Sequence, residues 1–212
     1  MKLLDRAHKK NYPSDITLGI ADISDEVSEG LFSDVEKREY ESFKNKGRKA
    51  EYASARRLFW FLVNKTGIEK NGLNLLKEEG GKPYALAGNN RIHVSFSHSP
   101  QKVFCALSSK SNIGLDVEHL SRTISPAVLN RIRHQQEAKI FKLLEPVQLW
   151  TIKEAVVKCM GSGLRTNLNE LLIEEREKNC FSISFNNESL FEICSFKQSD
   201  HQIALAYQGQ PI

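Results

Sequence analysis

The chain has 212 residues, enough to bury a sizeable core and intermediate between one ordinary domain and two small ones. Its 40% hydrophobic and 26% charged residues are ordinary globular proportions, no apolar run approaches the length of a membrane span, and a formal net charge of +4 falls short of a dedicated nucleic-acid binder. At the start, MKLLDRAHKK, Asp5 and His8 interrupt any signal-peptide core, so a soluble, cytoplasmic protein is expected. Cys105, Cys159, Cys180 and Cys194 lie far apart, with no C-x-x-C pair and no histidines at zinc-finger spacing, and are expected as buried free thiols.

In chain order, Ser33-Asp34-Val35-Glu36 has the form of a capping box and predicts a helix ending near Gly47. A second helix is predicted from Arg48 to about Thr66. There Tyr52, Ala55, Leu58, Phe59 and Leu62 recur at helical spacing, and Gly67 stands at the C-terminal cap. The sequence Gly80-Gly81-Lys82-Pro83 reads as a turn, followed by a strand in which Ile92, Val94 and Phe96 alternate with His93, Ser95 and Ser97. Further strands are predicted over Lys102 to Leu107 and Ile113 to Glu118; the alternation of the second puts Asp116 and Glu118 on one face. Ser125-Pro126 reads as a helix start, and Pro146 opens a helix running to Met160 before Gly161-Ser162-Gly163. Cys180 to Phe185, Leu190 to Phe196 and His201 to Tyr207 complete the predicted strands. Helices followed by strands thus occur in both parts of the chain, which suggests two halves, 1–110 and 111–212.

Three groups of residues carry chemistry. Asp116-Val117-Glu118 presents two carboxylates from one strand face, the donor type a hard divalent cation such as magnesium accepts; alternating acids on a half-exposed strand also simply face solvent. Trp150, Glu154 and Lys158 fall at i, i+4 and i+8 on one helix face, offering a third carboxylate and a cation for a phosphoryl oxygen, or else a surface ion pair. The strand end Ser97-His98-Ser99 presents hydroxyls and an imidazole that suit a phosphate, although a lone histidine at a strand end is also commonly a structural donor; a serine hydrolase lacks support because no Gly-x-Ser-x-Gly surrounds either serine.

GGKPY (80–84), FSHS (96–99), IGLDVE (113–118) and WTIKEAVVK (150–158), in this order, resemble the signature of the phosphopantetheinyl transferase family, in its larger, surfactin-synthetase-activating type. The resemblance implies an α+β fold of two similar α/β halves, each of helices and a mainly antiparallel sheet, with the active site between them. The N-terminal half would bind coenzyme A and the C-terminal half would hold the metal and catalyse. It further implies that Asp116, Glu118 and Glu154 hold magnesium, that Lys158 contacts the phosphate, and that Lys82, Ser97 and His98 bind coenzyme A, His98 near the 3′-phosphate. Arg56 in EYASAR matches the family's nucleotide-binding arginine, and Arg48 is a looser match. The implied reaction is attack of a serine of an apo acyl or peptidyl carrier protein on the β-phosphate of coenzyme A, releasing adenosine 3′,5′-bisphosphate, with Glu154 or a metal-bound water taking the proton. Trp150 is expected to support the packing of its helix, and the protein is expected to be a monomer without nucleic-acid or membrane partners. The rival readings are a nucleic-acid module built on Arg48, Lys49, Arg56 and Arg57, and a magnesium-dependent phosphohydrolase.

Overall fold

The computed structural model describes residues 1–4, 11–28, 30–185 and 188–208, with backbone only at 164, 189 and 190; Asp5 and His8 lie outside them. Helix α1 spans Asp34–Ser42 behind a complete Ser33/Glu36 capping box. It stops earlier than the sequence pattern suggests, because Phe43 is extended and Asn45 caps a new helix by accepting from the Arg48 N–H at 3.0 Å. That helix, α2 (Lys46–Thr66), ends at Gly67, whose φ of 72° is the left-handed cap geometry glycine tolerates.

The first sheet contains β1 (Lys2–Leu3), β2 (Thr17–Asp22), β3 (Asn74–Lys77), β4 (Pro83–Ala87), β5 (Asn90–Ser99) and β6 (Lys102–Ser108), in the order β1-β2-β6-β5-β4-β3. Next come β7 (Asn112–His119), α3 (Pro126–Ile132), the one-turn α4 (Ile140–Leu143) and α5 (Pro146–Met160). Two short 3-10 turns, Gly163–Arg165 and Leu168–Glu170, lead into β8 (Leu171–Glu177), β9 (Cys180–Phe185), β10 (Glu188–Gln198) and β11 (His201–Gln208). The second sheet runs β7-β11-β10-β9-β8, and neighbouring strands pair antiparallel in both sheets. The fold is α+β, with two antiparallel sheets that each carry helices.

Three apolar cores hold the layers. One lies between α2 and the first sheet, around Leu58, Phe59, Leu62 and Val94. Another lies between α5 and the second sheet, around Ile152, Val156, Ile183 and Ile193. The third joins the two sheets, with Leu18, Ile20 and Phe104 meeting Ile113, Leu115, Val117 and Ile203. The four cysteines carry free thiols; Cys105, Cys159 and Cys194 are buried and Cys180 is half-buried. Among the described residues, no helix is long and apolar enough to cross a membrane.

The seam between the halves carries a polar ladder. Strand β5 turns Ile92, Val94 and Phe96 toward the α2 core, and its buried Ser95, Ser97 and Ser99 face the second half. Ser95 Oγ accepts from the Leu115 N–H at 2.8 Å, Ser97 Oγ accepts from the Val117 N–H at 3.0 Å, and Ser99 Oγ bonds His201 Nε2 at 2.7 Å. β7 is an edge strand, so the Ser95 and Ser97 hydroxyls satisfy outward N–H groups that would otherwise be buried without acceptors. Ser95→Ala should therefore cost about 1–3 kcal/mol by orphaning the Leu115 N–H. The expected observation is a lower urea midpoint with an unchanged slope.

Candidate active site

Between the halves lies a cleft of about 830 Å³. From the N-terminal half it is lined by Arg48, Tyr52, Arg56, Gly80, Lys82 and Phe96, and from the C-terminal half by Ile132, Trp150, Glu154, Val157, Lys158 and Leu168, among others. Five residues singled out from the sequence, Arg48, Arg56, Lys82, Glu154 and Lys158, thus share one wall system. Ser97, His98, Asp116 and Glu118 lie outside its lining.

The close approach of β7 and α5 builds the centre. A Cβ on Gly114 would lie 2.1 Å from the Ala155 carbonyl oxygen and 2.3 Å from the Cys159 nitrogen, so only glycine lets the strand pass this near the helix. Lys158 then reaches Asp116, with Nζ 2.8 Å from Oδ1, and also donates to Ser97 Oγ at 3.1 Å and to the Phe96 carbonyl at 3.3 Å. The Glu154–Lys158 ion pair that helical spacing allows is replaced by Lys158–Asp116. Asp116 is only 6% exposed, so the expectation of a half-exposed strand acid does not hold for it. Ser97 sits behind the cleft as a bridge between β5 and this pair.

Glu118 is bonded by Arg122, whose guanidinium stands 5.0 Å over the Trp150 ring. Trp150 therefore lines the cleft and stacks on a cation, a larger part than helix packing alone. Burial pushes the Glu154 carboxyl above the usual glutamate range and the charge of Asp116 pushes it further, with Lys158 and Arg122 opposing and Glu118 adding a smaller push. Asp116 Oδ2 is buried with no hydrogen-bond partner, so the centre has carboxylate oxygen to spare. Among the described residues no three acidic, histidine or cysteine side chains are gathered as a preformed metal cluster. Lys158 and Arg122 each hold one of the carboxylates.

At the other end, Arg56 is buried, with Nε 3.1 Å from Glu36 Oε1 and its guanidinium 3.6 Å from the Tyr52 ring centroid and 5.4 Å from that of Phe96. Arg57 is bonded to Glu26 and to the Ser24 carbonyl. Two of the four cations that kept a nucleic-acid reading open are thus engaged within the fold. Arg48 bonds Glu51 at 3.1 Å, and exposed His98 stands 3.8 Å from the same carboxylate. Lys82 lines the cleft while its ammonium is held by Asn112 Oδ1 and the Cys159 carbonyl, and burial pushes it below the usual lysine range. Gly80 comes so close to Gly161 that a Cβ there would meet its carbonyl oxygen at 2.7 Å, which seats the glycine turn on the end of α5.

Sequence reading overlooked Glu36, Tyr52 and Phe96 around Arg56, together with Arg122 and Asn112. Glu36 was visible as the capping-box acid, but its second oxygen's grip on Arg56 is a contact 20 residues away. Lys153, inside the recognised helix motif, forms a wholly buried pair with Glu137 that no local pattern announces.

The raised Glu154 carboxyl has a consequence for stability. Because the folded state disfavours its ionised form, Glu154 opposes folding at pH values above the ordinary glutamate value of 4.5, fully so above its raised folded value, and does not below 4.5. Glu154→Gln should therefore raise the melting temperature of metal-free protein at neutral pH, with the gain vanishing by about pH 4. Melting curves across this range check the sign.

Residues 112–207, which include β7, α5 and the rest of the second sheet, match the 4′-phosphopantetheinyl transferase superfamily. The 4′-phosphopantetheinyl transferase gsp of Aneurinibacillus migulanus is 28% identical over 124 residues, covering 55% of this chain and 50% of that protein. The 4′-phosphopantetheinyl transferase of Bacillus subtilis is 28% identical over 128 residues, covering 55% and 54%. The chain spans about half the length of the curated relatives it matches. The Asp116–Lys158 centre lies within this matched stretch, which is similar to the 4′-phosphopantetheinyl transferase superfamily.

Proposed function

We propose that the protein transfers the 4′-phosphopantetheine group of coenzyme A to a serine of an apo acyl or peptidyl carrier protein. The observation that carries this reading is the make-up of the cleft: cations and aromatic rings such as Arg48, Arg56 and Tyr52 from the N-terminal half, and the acid and lysine Glu154 and Lys158 on one face of α5. A nucleotide pyrophosphate needs the first, and a phosphoryl transfer needs the second. The superfamily match over 112–207 supports this reaction among those such a cleft suits.

In this reading Arg56, held rigid by Glu36 and the Tyr52 ring, and Arg48, which shares Glu51 with His98, receive the nucleotide phosphates. Lys158 neutralises charge developing on the transferred phosphoryl oxygens, and the Ser97 hydroxyl steadies its ammonium. Glu154, which lines the cleft from the same face of α5 as Lys158, accepts the proton of the attacking serine hydroxyl. The bond to the β-phosphate breaks on the side of the adenylate, and adenosine 3′,5′-bisphosphate leaves.

A divalent cation fits the carboxylates of Asp116, Glu118 and Glu154, because Asp116 Oδ2 is buried without a partner and like charges already burden Glu154. Magnesium bound there would supply positive charge to the pyrophosphate. Arg122 and Lys158, which hold two of these carboxylates in the ion-free arrangement, would then be released toward the phosphates.

Intact-mass analysis of a panel of apo carrier proteins, incubated with the protein, coenzyme A and magnesium, should show the gain of one phosphopantetheinyl group on a serine. No modified carrier in the panel and release of the phosphates to water would favour a hydrolase. Asp116→Asn, which keeps the shape and removes the charge, should lower turnover by about two powers of ten or more. Near-normal turnover at saturating magnesium would remove Asp116 from the centre.

A further inference from the structure

Lys153 and Glu137 have side chains that are both 0% exposed, with Nζ 2.8 Å from Oε2. The ammonium also donates to the carbonyls of Ile132 at 2.7 Å, Leu168 at 2.9 Å and Leu171 at 2.8 Å. Three protons thus serve four acceptors. Glu137 in turn accepts from the N–H groups of His134 at 2.9 Å and Ile173 at 2.7 Å. One pair therefore fastens the end of α3, the 133–137 loop, the second 3-10 turn and the start of β8 to α5.

Two of the tethered carbonyls belong to Ile132 and Leu168, whose residues also line the cleft. The wall they form is irregular: α3 stops at Ile132, Arg133 is extended, and only 3-10 turns occupy 163–170. No sheet ladder or long helix fixes it, and the Ile132 carbonyl is a helix-end acceptor that needs an outside donor. The apolar residues of the cleft on this side are Val128, Ile132, Trp150, Val157 and Leu168, beside the cations Arg131 and Lys158, while Arg48, Arg56, Lys77 and Lys82 line it from the other half.

We infer that Lys153 is a positioning residue that, through Glu137 and the Ile132 and Leu168 carbonyls, holds this wall at the spacing from α5 that grips the uncharged pantetheine arm of coenzyme A. The inference rests on the proposed function. Lys153 touches no substrate; it acts through the wall. Losing its ammonium frees the wall without disturbing Arg48 or Arg56, so the arm loses affinity and the nucleotide does not. A purely structural pair would change the binding of both equally or of neither.

Coenzyme A and adenosine 3′,5′-bisphosphate share the 3′-phosphorylated nucleotide, and only the first has the arm. Calorimetry on the full chain with magnesium should show that Lys153→Met/Glu137→Gln, which removes both buried charges together, weakens coenzyme A by about tenfold or more. Its affinity for adenosine 3′,5′-bisphosphate should stay within about twofold. Equal losses, or no loss, overturn the inference. Should the double variant fail to fold, hydrogen exchange on the unaltered protein decides: coenzyme A, but not adenosine 3′,5′-bisphosphate, should slow amides across 132–137 and 168–173. The same protection by both, or none by coenzyme A, overturns it. Unaltered protein that binds neither compound rejects the proposed function, and the inference with it.

Discussion

An edge strand buried against another sheet must find acceptors for its outward N–H groups, and the meeting of the two halves depends on how β7 does so. The serines of β5 supply two of them, at Leu115 and Val117. Their alternation with Val94 and Phe96 lets one strand face a hydrocarbon core with one side and a polar seam with the other. Because the side-chain period of a strand is 2, the same register that seats Ser95 and Ser97 on β7 sends His98 to the opposite side, beside Glu51. The seam and the distribution of site residues are thus one geometric fact.

The second constraint is steric. With Gly114 against Ala155 and Cys159, α5 can lie close enough to β7 for Lys158 to reach Asp116 and, past it, the Phe96 carbonyl of the other half. Gly80 against Gly161, and Lys82 bonded to Asn112 and the Cys159 carbonyl, tie the opposite side of the same helix end to the N-terminal half. The C-terminal end of α5 carries partial negative charge, so a buried ammonium is well placed there. Cations thus stabilise both the helix end and the carboxylates beneath it.

Much of this was legible from the sequence, and the failures have physical causes. Patterns with a local mechanism survived: the Ser33/Glu36 box, Pro126 and Pro146 at helix starts, Gly67 and Gly161 at helix ends, and the alternation that puts Asp116 and Glu118 on one face. The α1–α2 break was misplaced because Asn45, the residue that caps α2, sits within a run of helix-compatible charges. β3, with only four residues and mostly exposed, and β4, which starts on a proline after two glycines, carry too little periodicity to announce themselves. The polar face of β5 shows in the sequence only as an ordinary alternation, since what makes it buried is a strand 20 residues away.

Charge pairing is where local reading failed most instructively. On α5, spacing joins Glu154 to Lys158 and leaves Lys153 as an ordinary polar position. The fold does otherwise: Lys158 goes to Asp116, Lys153 goes fully inside to Glu137, and Glu154 keeps a raised carboxyl with no lysine bonded to it among the described residues. A lysine stem buries readily while its ammonium seeks oxygen, so consecutive turns of one helix can send cations to different layers. Pairing Lys158 with Asp116 leaves Glu154 basic, and pairing Lys153 with Glu137 anchors the wall facing it. A surface pair between Glu154 and Lys158 would have held the Glu154 carboxyl down and kept Lys158 from Asp116, so the departure from the local rule is what sets the charge arrangement on this face of α5.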